Sequence, residues 1–323
     1  MSVLSCSLLK TIRPALVAAV IFGAIVAPVT TVQADVVKDS GARAVAWLVS
    51  KQEADGGFSN GFAKGSDLSA TADAVIALSA SGKAVKEVKS KSGLSPVDYL
   101  QAQVAGKLLK VGQYAKVALA VNAAGLNPNK FGNKDLIKLI LAGYNAKTGV
   151  IGDNVFTHSQ AILALAAAKA AIPEKAISTL ESLQSATGGW AFMGAGDPDV
   201  DTTALAIQAL IAAGRAANSG PAGKGLGFLH GLQNADGGFP YQSPSAYGTD
   251  SNANSSGLVA QAMIAAGLQP EAWARANGNP LSSIIVLQQS GGAFSYQASF
   301  PSDNTLATIG AIQALYRVTS SGK

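Results

Sequence analysis

The sequence predicts an all-α fold of six repeated helix pairs closed into a ring. Three observations carry that expectation. A turn motif recurs along the chain, each clear copy leads into a small-residue helix, and the composition is 48% hydrophobic with 13% charged residues and 35 glycines. Aromatic residues make up 6%, so most of the apolar surface is Ala, Leu, Ile and Val, as close-packed helices joined by glycine-rich turns require.

The first element is an export segment. Lys10 and Arg13 precede an apolar run from Ala15 to Val29 and a polar stretch ending Val32-Gln33-Ala34 before Asp35, the layout of a secretory signal peptide. Residues 1–34 are expected to be removed after Ala34, leaving 35–323 as one domain in a secreted or extracytoplasmic location. The run is short for a membrane span, and no later stretch approaches the ~18–20 apolar residues a span needs. An uncleaved anchor is the alternative. Cys6 is the sole cysteine and lies in the segment to be removed, so the mature chain has no thiol for a disulfide or a metal. With Lys10 and Arg13 gone, 24 basic and 19 acidic residues reduce to an excess of three positive charges, too mild to imply nucleic acid.

The repeat is read by aligning Leu48 to Phe58 with Leu229 to Phe239. Both give an apolar helix end, Gln52 or Gln233, a short spacer, a Gly-Gly pair and an aromatic. The pattern returns as Gln184 before Gly188-Gly189-Trp190, and as Gln288-Gln289 before Gly291-Gly292-Ala293-Phe294. After each glycine pair comes a polar loop, then an acid, then a helix: Asp67 leads to Gly82, Asp201 to Gly214, Asp250 to Gly267 and Asp303 to Leu315. A carboxylate suits a helix N-cap because it accepts from unpaired first-turn amides, and glycine suits the C-cap because it tolerates positive φ. Two degenerate copies, Pro96 to Gly125 and Asp135 to Ala171, complete six pairs.

Within a pair the helices differ. The second, as in Ala161 to Ala168 or Ala204 to Ile211, is apolar nearly all round and is expected inside. The first mixes Lys, Glu and Ser with an apolar stripe and starts near Pro96, Pro173 or Pro280, as an outer helix would. A linear stack would need polar capping repeats at its ends, yet the first and last units are as apolar as the others. Ring closure removes that exposed surface, with an open solenoid close behind.

These Gln-spacer-Gly-Gly-aromatic units, with inner helices in the style of Asp201-Thr202-Thr203-Ala204-Leu205, resemble the prenyltransferase and squalene cyclase repeat superfamily. The resemblance implies an α6/α6 toroid over nearly the whole mature chain. Within it, Gly149-Val150-Ile151-Gly152-Asp153-Asn154 and Gly292-Ala293-Phe294 with Asp303 to Thr308 look like the helical domain of the transcobalamin and intrinsic factor family. That likeness implies cobalamin as a bound ligand, with no cofactor required; the chain ends soon after its last inner helix, without that family's second domain.

For function, the segment Asp197-Pro198-Asp199-Val200-Asp201-Thr202 is similar to the Asp-x-Asp-Asp motif with which class II terpene cyclases protonate an alkene. Asp199 and Asp201 fit; Thr202 stands where the last carboxylate belongs. The competing reading makes Asp201 a helix cap like Asp67, with Asp197 and Asp199 as solvated loop charges. Paired carboxylates for glycosidase chemistry, Asp199 with Asp250 or Asp303, are a further arrangement. Zinc-dependent prenyl transfer lacks its cysteine ligand, so no metal site is predicted, and His158 and His230 read as structural or surface residues. A ligand-binding mouth is expected where inner-helix N-termini gather, since their amides and dipoles favour oxygen-rich groups. Trp190, Asp197, Asp199, Asp201, Tyr241, Tyr247, Asp250, Tyr296 and Asp303 are its candidate residues. Phe58, Trp190, Phe239 and Phe294 also suit a role as plugs of the turns.

The balance of these features favours a secreted, non-catalytic binding protein of cobalamin-carrier type, with no catalytic residue assigned and a small molecule or an envelope protein as partner. A class II cyclase-like enzyme using Asp201 as general acid and a structural cell-envelope interaction module are the alternatives. A two-domain architecture is usual for squalene-type cyclases, and this chain has length for one domain.

Overall fold

A computed structural model describes residues 29–246 and 248–321, with side chains described for 34–246 and 248–317. The expected export segment lies almost wholly outside the described residues. Among those described, twelve α-helices occur and no strand beyond isolated bridges. Six form the inner layer: α2 (Leu68–Ala80), α4 (Val111–Ala123), α6 (Val155–Ala167), α8 (Val200–Ala212), α10 (Ala253–Ala265) and α12 (Thr305–Ser321). Each packs on the next, and α12 packs on α2, so the ring closes. The outer layer is α1 (Val29–Ser50), α3 (Pro96–Gly106), α5 (Leu136–Ala142), α7 (Glu174–Ser182), α9 (Gly220–Gly231) and α11 (Pro280–Ile285).

Each outer helix from α3 onward leans on the inner helix before it, and α1, the first among the described residues, leans on α12. The first and last described helices therefore meet at one seam. The first buried side chain of α1 among the described residues is Val37, so these core contacts follow the expected cleavage point. No helix among the described residues is long and apolar enough to cross a membrane.

The turn motif proves to be a staple. Gln52, Gln184, Gln233 and Gln288 each donate their side-chain amide to the carbonyl four residues on, of Gly56, Gly188, Gly237 and Gly292, at 2.7–3.0 Å. The same nitrogen reaches forward to the Pro221 or Trp273 carbonyl at 2.7 Å. In the last copy it reaches the Ser40 carbonyl at 2.8 Å, so the device that links neighbouring repeats also closes the ring. A side chain at Gly56 (φ 88°) would place its Cβ 2.5 Å from the Ser95 carbonyl oxygen, which is why the staple needs glycine there. In the last copy this register makes Gly292-Ala293, not Gly291-Gly292, the working pair.

The aromatics are plugs. Phe58, Trp190, Phe239 and Phe294 are fully buried, and each backbone N–H donates to a hydroxyl on the following inner helix: Thr71, Thr203, Ser256 or Thr308, at 2.8–3.0 Å. In the degenerate third copy Ile151 fills the plug position, and its N–H donates to Nδ1 of buried His158 at 3.0 Å. The other ring nitrogen of His158 bonds the Ala176 carbonyl at 2.9 Å, which makes it the N–H. Burial holds this imidazole below the usual histidine range. His158 is thus structural, as expected.

The caps correct the reading of the sequence. Asp67 caps α2 by accepting from the Ala70 amide. The other inner caps that bond through a side chain are Asn154, Asp199, Asn252 and Asn304, each four residues before the hydroxyl or imidazole that holds the plug; Lys110 holds the cap position of α4 without such a bond. Asp201, Asp250 and Asp303 lie one or two positions from the caps they were expected to be. Counting back from Thr203, Ser256 and Thr308 would have given the register.

Candidate active site in the ring

With the caps placed, the cavity face of every inner helix can be counted from them. Its lining comes chiefly from positions 2, 6, 9 and 13 past the cap, the single stripe a helix of 3.6 residues per turn presents to a ring axis. The resulting central cavity is about 370 Å³, at the small end of the ~300–1,000 Å³ range of ligand sites.

Its uppermost tier contains Phe156, Asp201, Asn254 and Leu306. Asp201 is thus neither a cap nor a solvated charge: its carboxyl faces the cavity from the first turn of α8. Ser255 Oγ donates to Asp201 Oδ1 at 2.6 Å, and Asn252 Nδ2 donates to that hydroxyl at 3.0 Å, so the α10 cap holds the serine that holds the acid. Burial, with a smaller contribution from the nearby Asp199 charge, pushes the Asp201 carboxyl up to about 7, against the opposing pull of Ser255. Burial also raises Asp199, opposed by its hydrogen bonds from Thr202. The cap expected at Asp201 is Asp199, read as a loop charge in the capping alternative and found buried.

Tyr241 and Tyr296 join this cluster. Each sits two residues past a plug, where its carbonyl accepts from the first helical amide of the neighbouring repeat, Val200 at 2.8 Å and Ala253 at 2.9 Å. Phe192 does the same for Val155 at 2.9 Å. The first-turn amides expected to greet a ligand at the mouth are therefore already used in α6, α8 and α10. Burial, then Asp199 and Asp201, pushes the Tyr241 phenol up to about 12; burial and Asp201 raise Tyr296.

The remaining predicted residues do not converge. Trp190 is a buried plug whose indole N–H donates to the Leu180 carbonyl at 2.7 Å. Asp197 is exposed, and Asp250 accepts from Ser299 at 3.3 Å on the surface. Asp303 accepts from the Trp47 indole at 3.2 Å at the ring seam. None of Asp199, Asp250 and Asp303 lines the central cavity, so the carboxylate pairing considered for glycosidase chemistry is not assembled. Tyr247 lies outside the described residues.

Below Asp201 come features the sequence reading missed. Lys116 and Asp73 form an ion pair across α4 and α2 at 2.7 Å, and Gln160 stands beside them. One tier lower, Gln208, Gln261 and Gln313 line the α8, α10 and α12 side, while Ile76, Leu119 and Leu163 line the other. Arg317 closes the lining at the lower end, its Nη1 donating to Gln208 Oε1 at 3.4 Å. Leu205, Leu258 and Ile309 lie between Asp201 and the glutamines on the α8, α10 and α12 side, level with the Lys116–Asp73 pair and Gln160 opposite.

Fold and site together define a closed α/α ring with a half-buried carboxylic acid aimed into a partly apolar cavity. The chain belongs to the prenyltransferase alpha-alpha toroid domain family, which matches residues 11–117 and 155–294. Among curated proteins none matches it by sequence. Solved structures share the fold. The type II terpene cyclase MstE from Scytonema is similar at TM-score 0.68 and 13% identity, covering 89% of this chain and 99% of that one. Its variant in complex with geranylgeranyl dihydroxybenzoate gives TM-score 0.68 at 14% identity, over 90% and 99%, and another carries the product merosterolic acid A. A glycosidase is similar at TM-score 0.61 and 15% identity, over 90% of this chain and 98% of that one.

These neighbours overturn the expectation of a non-catalytic, cobalamin-carrier-like binding protein: rings of this size and shape include a cyclase caught with its substrate and its product. The argument from length fails with it, because 99% of that cyclase chain is spanned by this one.

Proposed function

We propose that the protein is a type II terpene cyclase-like enzyme in which Asp201 is the general acid. The observation that carries this reading is the position and state of Asp201: a carboxyl raised to about 7, facing a cavity whose next tier includes Leu205 and Leu258. A carboxylic acid that stays protonated near neutral pH in such a place is suited to protonating a weak base. The Asp199 and Asp201 carboxyls occupy the first two acidic positions of the Asp-x-Asp-Asp pattern. Ser255, on the neighbouring helix, orients the acid.

The step is a net isomerisation. The Asp201 carboxyl gives its proton to one carbon of a terminal trisubstituted alkene, leaving a tertiary cation on the other. The π electrons of a second alkene in the same chain close on that cation, forming a ring C–C bond and a new cation. Loss of a neighbouring proton to water restores an alkene, and water at the mouth reprotonates Asp201. Negative charge left on Asp201 stabilises the first cation, and the Phe156, Tyr241 and Tyr296 rings at the same end supply π faces.

Incubation with geranyl and farnesyl compounds in deuterated water tests this. Cyclic isomers carrying one carbon-bound deuterium are expected, with Asp201→Asn slowing their formation by about 10²–10⁴. Wild-type rates in that variant, or no cyclic product from any acyclic isoprenoid offered, would contradict the reading. Export through residues 1–34 is part of the proposal; N-terminal sequencing of protein from the extracytoplasmic fraction should begin at Asp35.

A further inference from the structure

We infer that the lower end of the ring is a second subsite, centred on Arg317, that takes an oxyanion of the ligand while its alkene end lies at Asp201. The lower subsite deepens the cyclase reading and rests on it for the orientation of the ligand. Thirteen residues past the cap, five inner helices carry alanine: Ala80, Ala123, Ala167, Ala212 and Ala265. The sixth carries Arg317. Alanine leaves the lower end of the ring open, and the arginine is the departure from that pattern which projects charge into it.

The Arg317 guanidinium bonds Gln208, so it rises to the glutamine tier. Gln208 commits its side-chain nitrogen to the Ala204 carbonyl at 3.3 Å, which turns its oxygen towards Arg317. Gln313 commits its nitrogen to the Asp73 carbonyl at 3.0 Å. Both amides are thereby fixed by backbone. Asp73, the carboxylate one tier higher, is tied to Lys116. The Arg317 side chain is exposed at this lower opening while lining the cavity, so a ligand group entering there can reach it. A guanidinium fork matches a carboxylate or a phosphate in two parallel hydrogen bonds.

Length sets the ligand class. Asp201 and Gln208 are seven residues apart on one helix, ~10 Å of rise. An extended chain advances ~3.8 Å per three bonds, so the span is about eight bonds. On the α8, α10 and α12 side Leu205, Leu258 and Ile309 line the interval and suit hydrocarbon, facing the Lys116–Asp73 pair and Gln160 across the cavity. A cavity of about 370 Å³ with these ends fits an isoprenoid of two or three units bearing a terminal carboxylate or phosphate.

Binding of geranyl and farnesyl carboxylates, monophosphates and alcohols to the full chain, followed by calorimetry, tests the subsite apart from catalysis. The anions should bind at least tenfold tighter than the alcohols, and whichever anion binds tighter identifies the group. Arg317→Gln should abolish the preference while leaving alcohol binding within about twofold, whereas Arg317→Lys keeps part of it. Asp201→Asn should retain the preference and lose ring formation. Equal binding of anions and alcohols by the wild type overturns the inference. A preference that persists in a folded Arg317→Gln protein does the same. An Arg317-dependent preference without ring formation from any of these compounds removes the cyclase reading and leaves the subsite standing.

Discussion

The turns of this ring and its inner face obey opposite rules. At the turns, four copies repeat one construction: a glutamine amide on a glycine carbonyl, a buried aromatic, and a hydroxyl four residues past the cap. On the inner face, equivalent positions differ from helix to helix. Two residues past the cap stand Ser69, Gly112, Phe156, Asp201, Asn254 and Leu306. What repeats holds the ring; what fails to repeat gives the cavity its chemistry. Substitutions at the turns should therefore change stability, and substitutions on the inner face should change activity.

The largest effect on stability is expected at a plug. Trp190→Ala removes a fully buried indole and should cost ~3–5 kcal/mol, read as a lowered denaturation midpoint, with residual folded protein keeping its pH profile. Gln288→Ala should cost ~1–3 kcal/mol by leaving the Ser40 and Gly292 carbonyls unpaired. If closing the ring matters beyond one staple, its unfolding should lose cooperativity where Gln233→Ala does not.

Inner-face changes should read differently. The raised Asp201 carboxyl ionises at lower pH in the unfolded chain than in the folded one, so folding stability should fall as pH rises from about 4 to about 7. Asp201→Asn removes this slope, and the variant should melt above wild type at pH 8 and close to it at pH 4. Ser255→Ala deletes a hydrogen bond that favours the carboxylate, so the alkaline limb of the pH–rate profile should move upward, a shift absent in Ser256→Ala. The smallest effect is expected at the seam: Asp303→Asn should stay within ~0.5 kcal/mol of wild type with unchanged activity.

The ring was legible because its signals are local and repeated. Gln-x₃-Gly-Gly-aromatic marks the turn, and small-residue apolar helices mark the inner layer. Even its departures kept to the pattern, with His158 standing in for a plug-holding hydroxyl. The caps were harder. An acid near a helix start resembles a cap whichever residue makes the bond, and asparagine caps at 154, 252 and 304 as well as the aspartates beside it could.

That slip of one or two positions favoured the wrong role for Asp201. Placed as a cap, Asp201 points at its own amides; two residues further in, it faces the axis. Tyr241 and Tyr296 were expected as aromatic edges of the mouth, and their place two residues past a plug puts them there. Lys116, Gln208, Gln261 and Arg317 were missed because a cavity lining has no local signature until the six helices are set in one register. The comparison of Arg317 with Ala80, Ala123, Ala167, Ala212 and Ala265 was available in the sequence once the caps were right.

The account turns on one carboxyl. Carbon-13 NMR titration of aspartate-labelled protein should show one carboxyl titrating near pH 7 that is missing from Asp201→Asn and moves upward in Ser255→Ala. If every aspartate carboxyl instead titrates below about pH 5, Asp201 is an ordinary carboxylate at neutral pH and the proposed acid does not exist.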